Sequence, residues 1–302
     1  MTDTARAQWL AQRRTGIGGS DVAPILGLSP WRTPYQVWED KMGLGEEQEE
    51  SAALYWGRLL EDPIRQAYAD ATGRAVVKPS DMYRHPQHPF MLANLDGIAD
   101  NGNRLVEFKT TSRADGWGEV GTDQVPDYYL TQVQHYMAVM SAPVCDVAVL
   151  IAGRDFRIYT VEADKELQEI LIEKERSFWD LVEAGTPPDP FTTDDASRKW
   201  RNATAKKIVQ ASAGDVATWT KLQGVRAQMK ALEEEEEKLK TALMATMKDA
   251  VSLKHDGKTL VSWSVAKARQ TLDTKRLKAE FPLIYEECLK SGFPYRTFRV
   301  YA

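Results

Sequence analysis

Apolar residues along the chain change period several times, and each change marks an element. RTPYQVWEDKMGLG reads as a capped helix, with Thr33 as N-cap, Pro34 at its first position and Gly43 just past its end. In WGRLLEDPIRQAYADATG, residues Leu60, Ile64, Ala67 and Tyr68 recur at helical spacing, and Gly73 stops the pattern. MLANLDGIAD and RLVEFKTTS are short, apolar and strand-like, with NGN at 101–103 as a hairpin turn between them. DYYLTQVQHYMAVMSA predicts a helix, CDVAVLIAG a buried strand, GRD a turn and FRIYTVEA a second strand. DKELQEILIEKERSFWDLVEAG predicts a long amphipathic helix ending at Gly185. The order predicts an α+β unit, a mixed sheet flanked by helices.

The prolines of TPPDPFTTDD, 186–195, break the pattern, so the expected division is 1–190 and 191–302. Beyond it, DVATWTKLQGVRAQMKALEEEEEKLKTALMATMKDA predicts one helix of ~35 residues, roughly 50 Å long. Leu222, Val225, Met229, Leu232, Leu239 and Leu243 alternate by three and four, with Glu236 at the polar position of the seam. VSLKHDGKTLVSWSV predicts a hairpin turning at Asp256-Gly257, DTKRLKAEFPLIYEECLKSG a short helical stretch, and YRTFRVYA a final strand. The second part is therefore a long helical arm with a small β unit.

Composition adds limits. The 302 residues are 43% apolar with nine Trp, enough for a real core. No apolar run approaches the ~18–20 residues of a membrane span, and no membrane partner is expected. The first residues lack the apolar stretch of a secretory signal. Two distant cysteines, Cys145 and Cys288, argue against a disulfide framework and fit a reducing cytoplasm. The net charge of −5 hides an asymmetry: from Phe191 onward there are 21 Lys and Arg against 14 Asp and Glu. An acidic first part suits carboxylates gathered for a metal, and a basic second part could meet a nucleic-acid backbone.

Candidate chemistry centres on LDGIADNGNRLVEFKTTS. Period-two alternation puts Glu107 and Lys109 on one face of a strand and turns Phe108 into the opposite core. Across the hairpin, Asp96 comes within reach of both. Two carboxylates and an ammonium facing one cleft are costly unless they hold something, and oxygen donors suit Mg²⁺. His85-x-x-His88 is a poor zinc site, because both residues precede prolines and no Cys or third His lies near. His135 is expected to pack or hydrogen-bond. RRTGIGGSDVAPILG, residues 13–27, fits neither common phosphate-loop pattern. Its glycines allow a tight turn, and Ser20 or Asp21 is expected to cap a short helix running to Leu26.

Asp96 with Glu107-Phe108-Lys109 resembles the PD-(D/E)XK nuclease core, and the surroundings resemble the phage λ exonuclease and YqaJ-type viral recombinase family. RRTGIGGSDVAPILGLSPW is similar to its N-terminal signature, WGRLLEDPI to its G-x-x-x-E helix, and YYLTQVQHYM to its Q-x-Q-x-Y helix. Leu95 stands where the motif often has Pro. The similarity covers about residues 10–188. It implies a restriction-endonuclease-like core and a Mg²⁺-dependent exodeoxyribonuclease, with Mn²⁺ able to substitute. Such an enzyme digests one strand of linear duplex DNA, typically 5′→3′, and leaves a single strand for recombination. It places Asp96, Glu107 and the Phe108 carbonyl on the metal, with Glu61 acting directly or through water. Lys109 becomes the catalytic lysine, and Gln132, Gln134 and Tyr136 order the site. Arg14 and Ser20 would grip a 5′-phosphate. It also implies a homo-oligomeric ring, often a trimer, paired with a phage single-strand annealing protein in a bacterial or phage-infected cytoplasm. The alternatives are a structure-specific or helicase-linked endonuclease of the same superfamily, and a non-catalytic DNA-binding or assembly protein.

Overall fold

The computed structural model describes residues 9–45, 51–204, 206–290 and 296–301. Two compact units emerge, one ending at Trp200 and the other beginning at Arg201. The break falls ten residues beyond the proline run because helix α6, Thr193–Lys199, docks back on the first unit. Its buried Asp195 accepts a 2.7 Å hydrogen bond from Thr33 Oγ1, the residue that also caps α2, Pro34–Lys41.

The first unit is built on a four-stranded mixed sheet in the order β4-β5-β6-β7. These strands are Gly97–Ala99, Arg104–Thr111, Val144–Ile151 and Asp155–Glu162. The β4–β5 and β6–β7 pairs are antiparallel. The parallel β5–β6 pair needs a crossover, supplied by α4, Asp127–Met140. The expected hairpin turn is present, with Asn101 at φ 55° and Gly102 at φ 95°. Helix α3, Ala52–Thr72, covers one face of the sheet, where Ile64 and Tyr68 pack on Val106, Phe108 and Ala148. The other face buries Leu105, Val147 and Val149 under Val133 and Met137 of α4. Leu171 and Phe178 of α5, Lys165–Glu183, join that core. Among the described residues no helix is long and apolar enough to cross a membrane.

A second, three-stranded sheet escapes the sequence pattern. MLANLDGIAD forms two strands, not one, and they join different sheets. β3, Met91–Ala93, lies between β1, Ile17–Gly18, and β2, Tyr83–Arg84, while β4 continues into the main sheet. The glycines of the N-terminal turn serve this packing. A Cβ at Gly16 would meet the Phe90 carbonyl at 2.5 Å, and one at Gly19 would meet the Tyr136 ring at 2.5 Å. Helix α1, Gly19–Ile25, is capped by Gly18, not by Ser20 or Asp21. Both lie inside the first turn, and the Asp21 carboxylate reaches back to accept from the Gly18 N–H at 3.1 Å.

In the second unit, α7 runs unbroken over Ala213–Met247, with Ser212 and Asp215 forming a capping box. β8, Ser252–His255, and β9, Lys258–Ser262, form the expected hairpin, with Asp256 and Gly257 both at positive φ. The helical stretch after it is two helices, α8 (Thr274–Glu280) and α9 (Pro282–Glu287), because Pro282 has no N–H to continue the first. Its last two residues, 291 and 292, lie outside the described residues. The expected final strand is absent from the described residues 296–301. There the Tyr301 carbonyl accepts from the side chains of Trp219 and Gln223 on α7 instead of from a neighbouring strand.

Candidate active site

The alternation of β5 decides which side chains meet. Glu107 and Lys109 leave the same face, toward α4, and Phe108 packs under α3 against Tyr68. Lys109 Nζ lies 2.6 Å from Glu107 Oε1. Asp96, one residue before β4, accepts a 3.0 Å hydrogen bond from the Phe108 N–H. Asp96 at the entry to β4 is thus gathered with Glu107 and Lys109 of β5, and Glu107 is 3% exposed.

Helix α4 adds two of its three predicted residues. Gln132 donates to Glu107 Oε1 at 2.7 Å and to the Tyr136 hydroxyl at 3.1 Å, and accepts from Lys109 at 3.2 Å. Gln134 is not part of this group. It binds the Glu162 carbonyl, the Asp164 N–H and Gln168, and so ties α4 to the start of α5. The reason is helical: residues two apart point about 200° from each other, whereas 132 and 136 share a face. Tyr129, on that shared face, escaped the sequence reading. Its ring centroid lies 4.7 Å from Lys109 Nζ, and the i, i+3 spacing to Gln132 was the available signal.

Burial pushes the Asp96 carboxyl up to about 8, and Glu107 adds to the push. Lys109 and the Phe108 N–H oppose it, and Glu61 raises it slightly further. For Lys109, burial works against the ammonium, but Glu107 and Asp96 outweigh it and hold its pKa above the usual lysine range. Lys109 is held as a cation that donates hydrogen bonds to Glu107 and Gln132. Glu61 stands apart on α3, paired with Arg65 at 2.8 Å and Lys78 at 2.5 Å. Among the described residues no three His, Cys, Asp or Glu side chains are grouped as a ready metal site. The donors here are hard oxygens on two crowded carboxylates, one of which resists ionisation, and that fits a hard divalent cation. The Arg65 and Lys78 cations both sit on Glu61 Oε1. His85 is not a ligand, since its Nδ1 accepts from the N–H groups of Gln87 and His88. His135 is buried, between Glu175 on Nδ1 and the Leu92 carbonyl on Nε2.

Tyr136, bonded to Gln132, also lines a small cavity of about 70 Å³, with Arg13, Ser20, Asn94 and the Gly18-Gly19 backbone among others. Arg13, not Arg14, faces it: Arg13 Nη2 donates to Ser20 Oγ at 3.1 Å. Arg14 is exposed and its guanidinium lies beside Gly43. Below the cavity, buried Asp21 is bound by Lys41 at 2.6 Å, Arg13 at 3.0 Å and Arg32 at 3.4 Å. Burial opposes the Asp21 charge, but these three cations hold its carboxyl far below the usual range. The sequence reading missed this cluster, whose members come from three separate segments.

The chain is similar to several known proteins. Uncharacterized protein YqaJ of Bacillus subtilis (strain 168) is 33% identical over 307 residues, spanning 99% of this chain and 95% of that protein. Among solved structures, an alkaline exonuclease (LHK-Exo) from Laribacter hongkongensis aligns with a TM-score of 0.47 at 20% identity. It covers 59% of this chain and 93% of its own. A phage-related exonuclease from Haemophilus somnus 129PT aligns at 0.43 and 11% identity, over 56% and 96%. The model of the YqaJ-like viral recombinase domain matches residues 8–143, a span holding Asp96, Glu107, Lys109, Gln132 and Tyr136. With a relative matched almost end to end, the chain belongs to the YqaJ-like viral recombinase family.

Proposed function

We propose that this chain is a divalent-metal-dependent DNA exonuclease that digests one strand of a linear duplex, 5′→3′, and so prepares single-stranded DNA for recombination. One observation carries the reading: Asp96, just before β4, meets Glu107 and Lys109 of the neighbouring β5, with Gln132 bonded to both Glu107 and Lys109. Asp96, Glu107 and the Phe108 carbonyl would hold Mg²⁺ or Mn²⁺, with Glu61 joining directly or through water. When bound, the ion supplies Lewis-acid activation of water and charge neutralisation at the phosphate. Lys109 orients the attacking water and donates to the oxygen on which negative charge develops. Gln132 keeps the ammonium aimed, and Tyr136 keeps Gln132 in place. Ser20, with Arg13 in the role first expected of Arg14, would take the 5′-phosphate of the chain end. A ring-forming homo-oligomer, a single-strand annealing partner and a bacterial or phage-infected cytoplasm complete the reading.

End-labelled linear duplexes bearing 5′-phosphate or 5′-hydroxyl, with a covalently closed circle as control, test it. The expectation is stepwise loss of one strand from linear DNA in Mg²⁺, binding without turnover in Ca²⁺, and an intact circle. Cleavage of the circle would point to an endonuclease, and cleavage in EDTA would rule out the metal chemistry.

A further inference from the structure

Among the described residues of the second unit, most of the apolar seam of α7 is left uncovered. A helix in a protein is held chiefly by burying an apolar face, because propensity alone gives little. Yet Val225, Met229, Leu232, Leu239 and Leu243 are 40–64% exposed, and Met247 is the buried residue of the 35-residue helix. Leu222, Val225, Met229, Leu232, Glu236, Leu239 and Leu243 step by three and four without a break, which is the spacing of a left-handed two-helix seam.

We propose that α7 joins two copies of this chain as an antiparallel coiled coil, with Met229 of one copy facing Leu232 of the other. The charges beside the seam select this occupant and this direction. In a parallel, in-register pair Glu236 would meet its own copy in the core, and Lys221 would lie against Arg226. Glu235 would attract Lys240 there and offset the Lys221–Arg226 contact, so the buried Glu236 pair is what opposes the parallel arrangement. Run antiparallel about the point between Met229 and Leu232, the same helix complements itself. Leu222 then faces Leu239, Val225 faces Glu236, and Arg226 lies beside both Glu233 and Glu236 of the second copy. Symmetry repeats each contact, as an isologous interface requires. Glu236, otherwise out of place in an apolar seam, thereby gains a counter-charge and sets the orientation, a known use of a polar seam residue. Its present partner, Lys240 at 2.7 Å, is an exposed i, i+4 pair and holds it only weakly.

Disulfide mapping of the full chain tests this, in a Cys288→Ser background because the other cysteine, Cys145, is buried. Chains carrying Val225→Cys, mixed with chains carrying Glu236→Cys, should form a cross-linked pair on mild oxidation. Val225→Cys alone should not, because its copies sit at opposite ends of the overlap. Sedimentation should show Leu232→Asp weakening association at least tenfold. Arg226→Glu should weaken it as well, and adding Glu233→Arg should restore part of the loss. Self-linking of Val225→Cys would establish the parallel arrangement and overturn the proposal. So would an absence of any cross-link together with an unchanged mass for Leu232→Asp. None of these readouts depends on nuclease activity.

Discussion

Gln132 and Glu107 are joined by a 2.7 Å hydrogen bond from Nε2 of the helix residue to Oε1 of the strand residue. The same Oε1 takes the Lys109 ammonium at 2.6 Å, so one oxygen anchors both neighbours and Oε2 receives neither. A group held this way can present a carboxylate oxygen and an ammonium in a fixed relation.

Lys109→Ala should therefore lower cleavage by at least ~10²–10³-fold, the scale for losing one donor to a developing oxyanion. DNA affinity measured in Ca²⁺ should stay near that of the unaltered protein. Full turnover in this variant would remove Lys109 from the chemistry.

Gly19 is a packing requirement rather than a conformational one, since Tyr136 occupies the space of its missing side chain. Gly19→Ala should destabilise by about 1–3 kcal/mol, the usual range for overpacking. It should also slow cleavage, because Tyr136 and Gln132 must shift. Gly18→Ala is the control, with its nearest neighbour at 3.7 Å, and should cost under about 1 kcal/mol. Urea denaturation of both variants checks the difference.

Lys41 and Asp21 are buried together. Lys41→Met should cost about 3–5 kcal/mol, because removing one partner leaves a buried charge short of compensation. Adding Asp21→Asn should recover part of that loss. A Lys41→Met protein as stable as the original would mean that Arg13 and Arg32 suffice.

The His135–Glu175 pair predicts a pH dependence. Burial disfavours the imidazolium, but Glu175 and the Leu92 carbonyl outweigh burial and raise the His135 pKa. The raised value contributes stability that is complete below the ordinary histidine pKa of about 6.5 and is lost as pH climbs through the folded value. Asp96, raised to about 8, acts in the same direction in metal-free protein. Melting curves in EDTA from pH 6 to 9 should fall with pH, and His135→Gln should flatten part of that slope. An equal slope in both proteins would show that His135 does not titrate across this range.

Much of the main sheet was legible because its strands are long enough to show their period. Alternation in RLVEFKTTS put Glu107 and Lys109 together, and the capped start of α2 announced itself through Thr33. The small sheet was hidden for the opposite reason: Ile17–Gly18 and Tyr83–Arg84 are two residues each, too short for a period. Gln134 was misplaced because a motif read as letters ignores the 100° turn per helical residue. Arg13 and Arg14 could not be told apart for lack of any local pattern, since only the fold shows which guanidinium turns toward Ser20.

β3 has a consequence for distance. Its Leu92 and the following Asn94 line the cavity beside Arg13, and Asp96 stands two residues further along, at the bend that leads into β4. Pocket and carboxylate are therefore graduations on one short ruler, braced by Ile17–Gly18 on one side and by His135 on the Leu92 carbonyl. Under the proposed function, a chain end seated in the pocket would be cut at a step set by that spacing, and lengthening the chain between Asn94 and Asp96 would change the step.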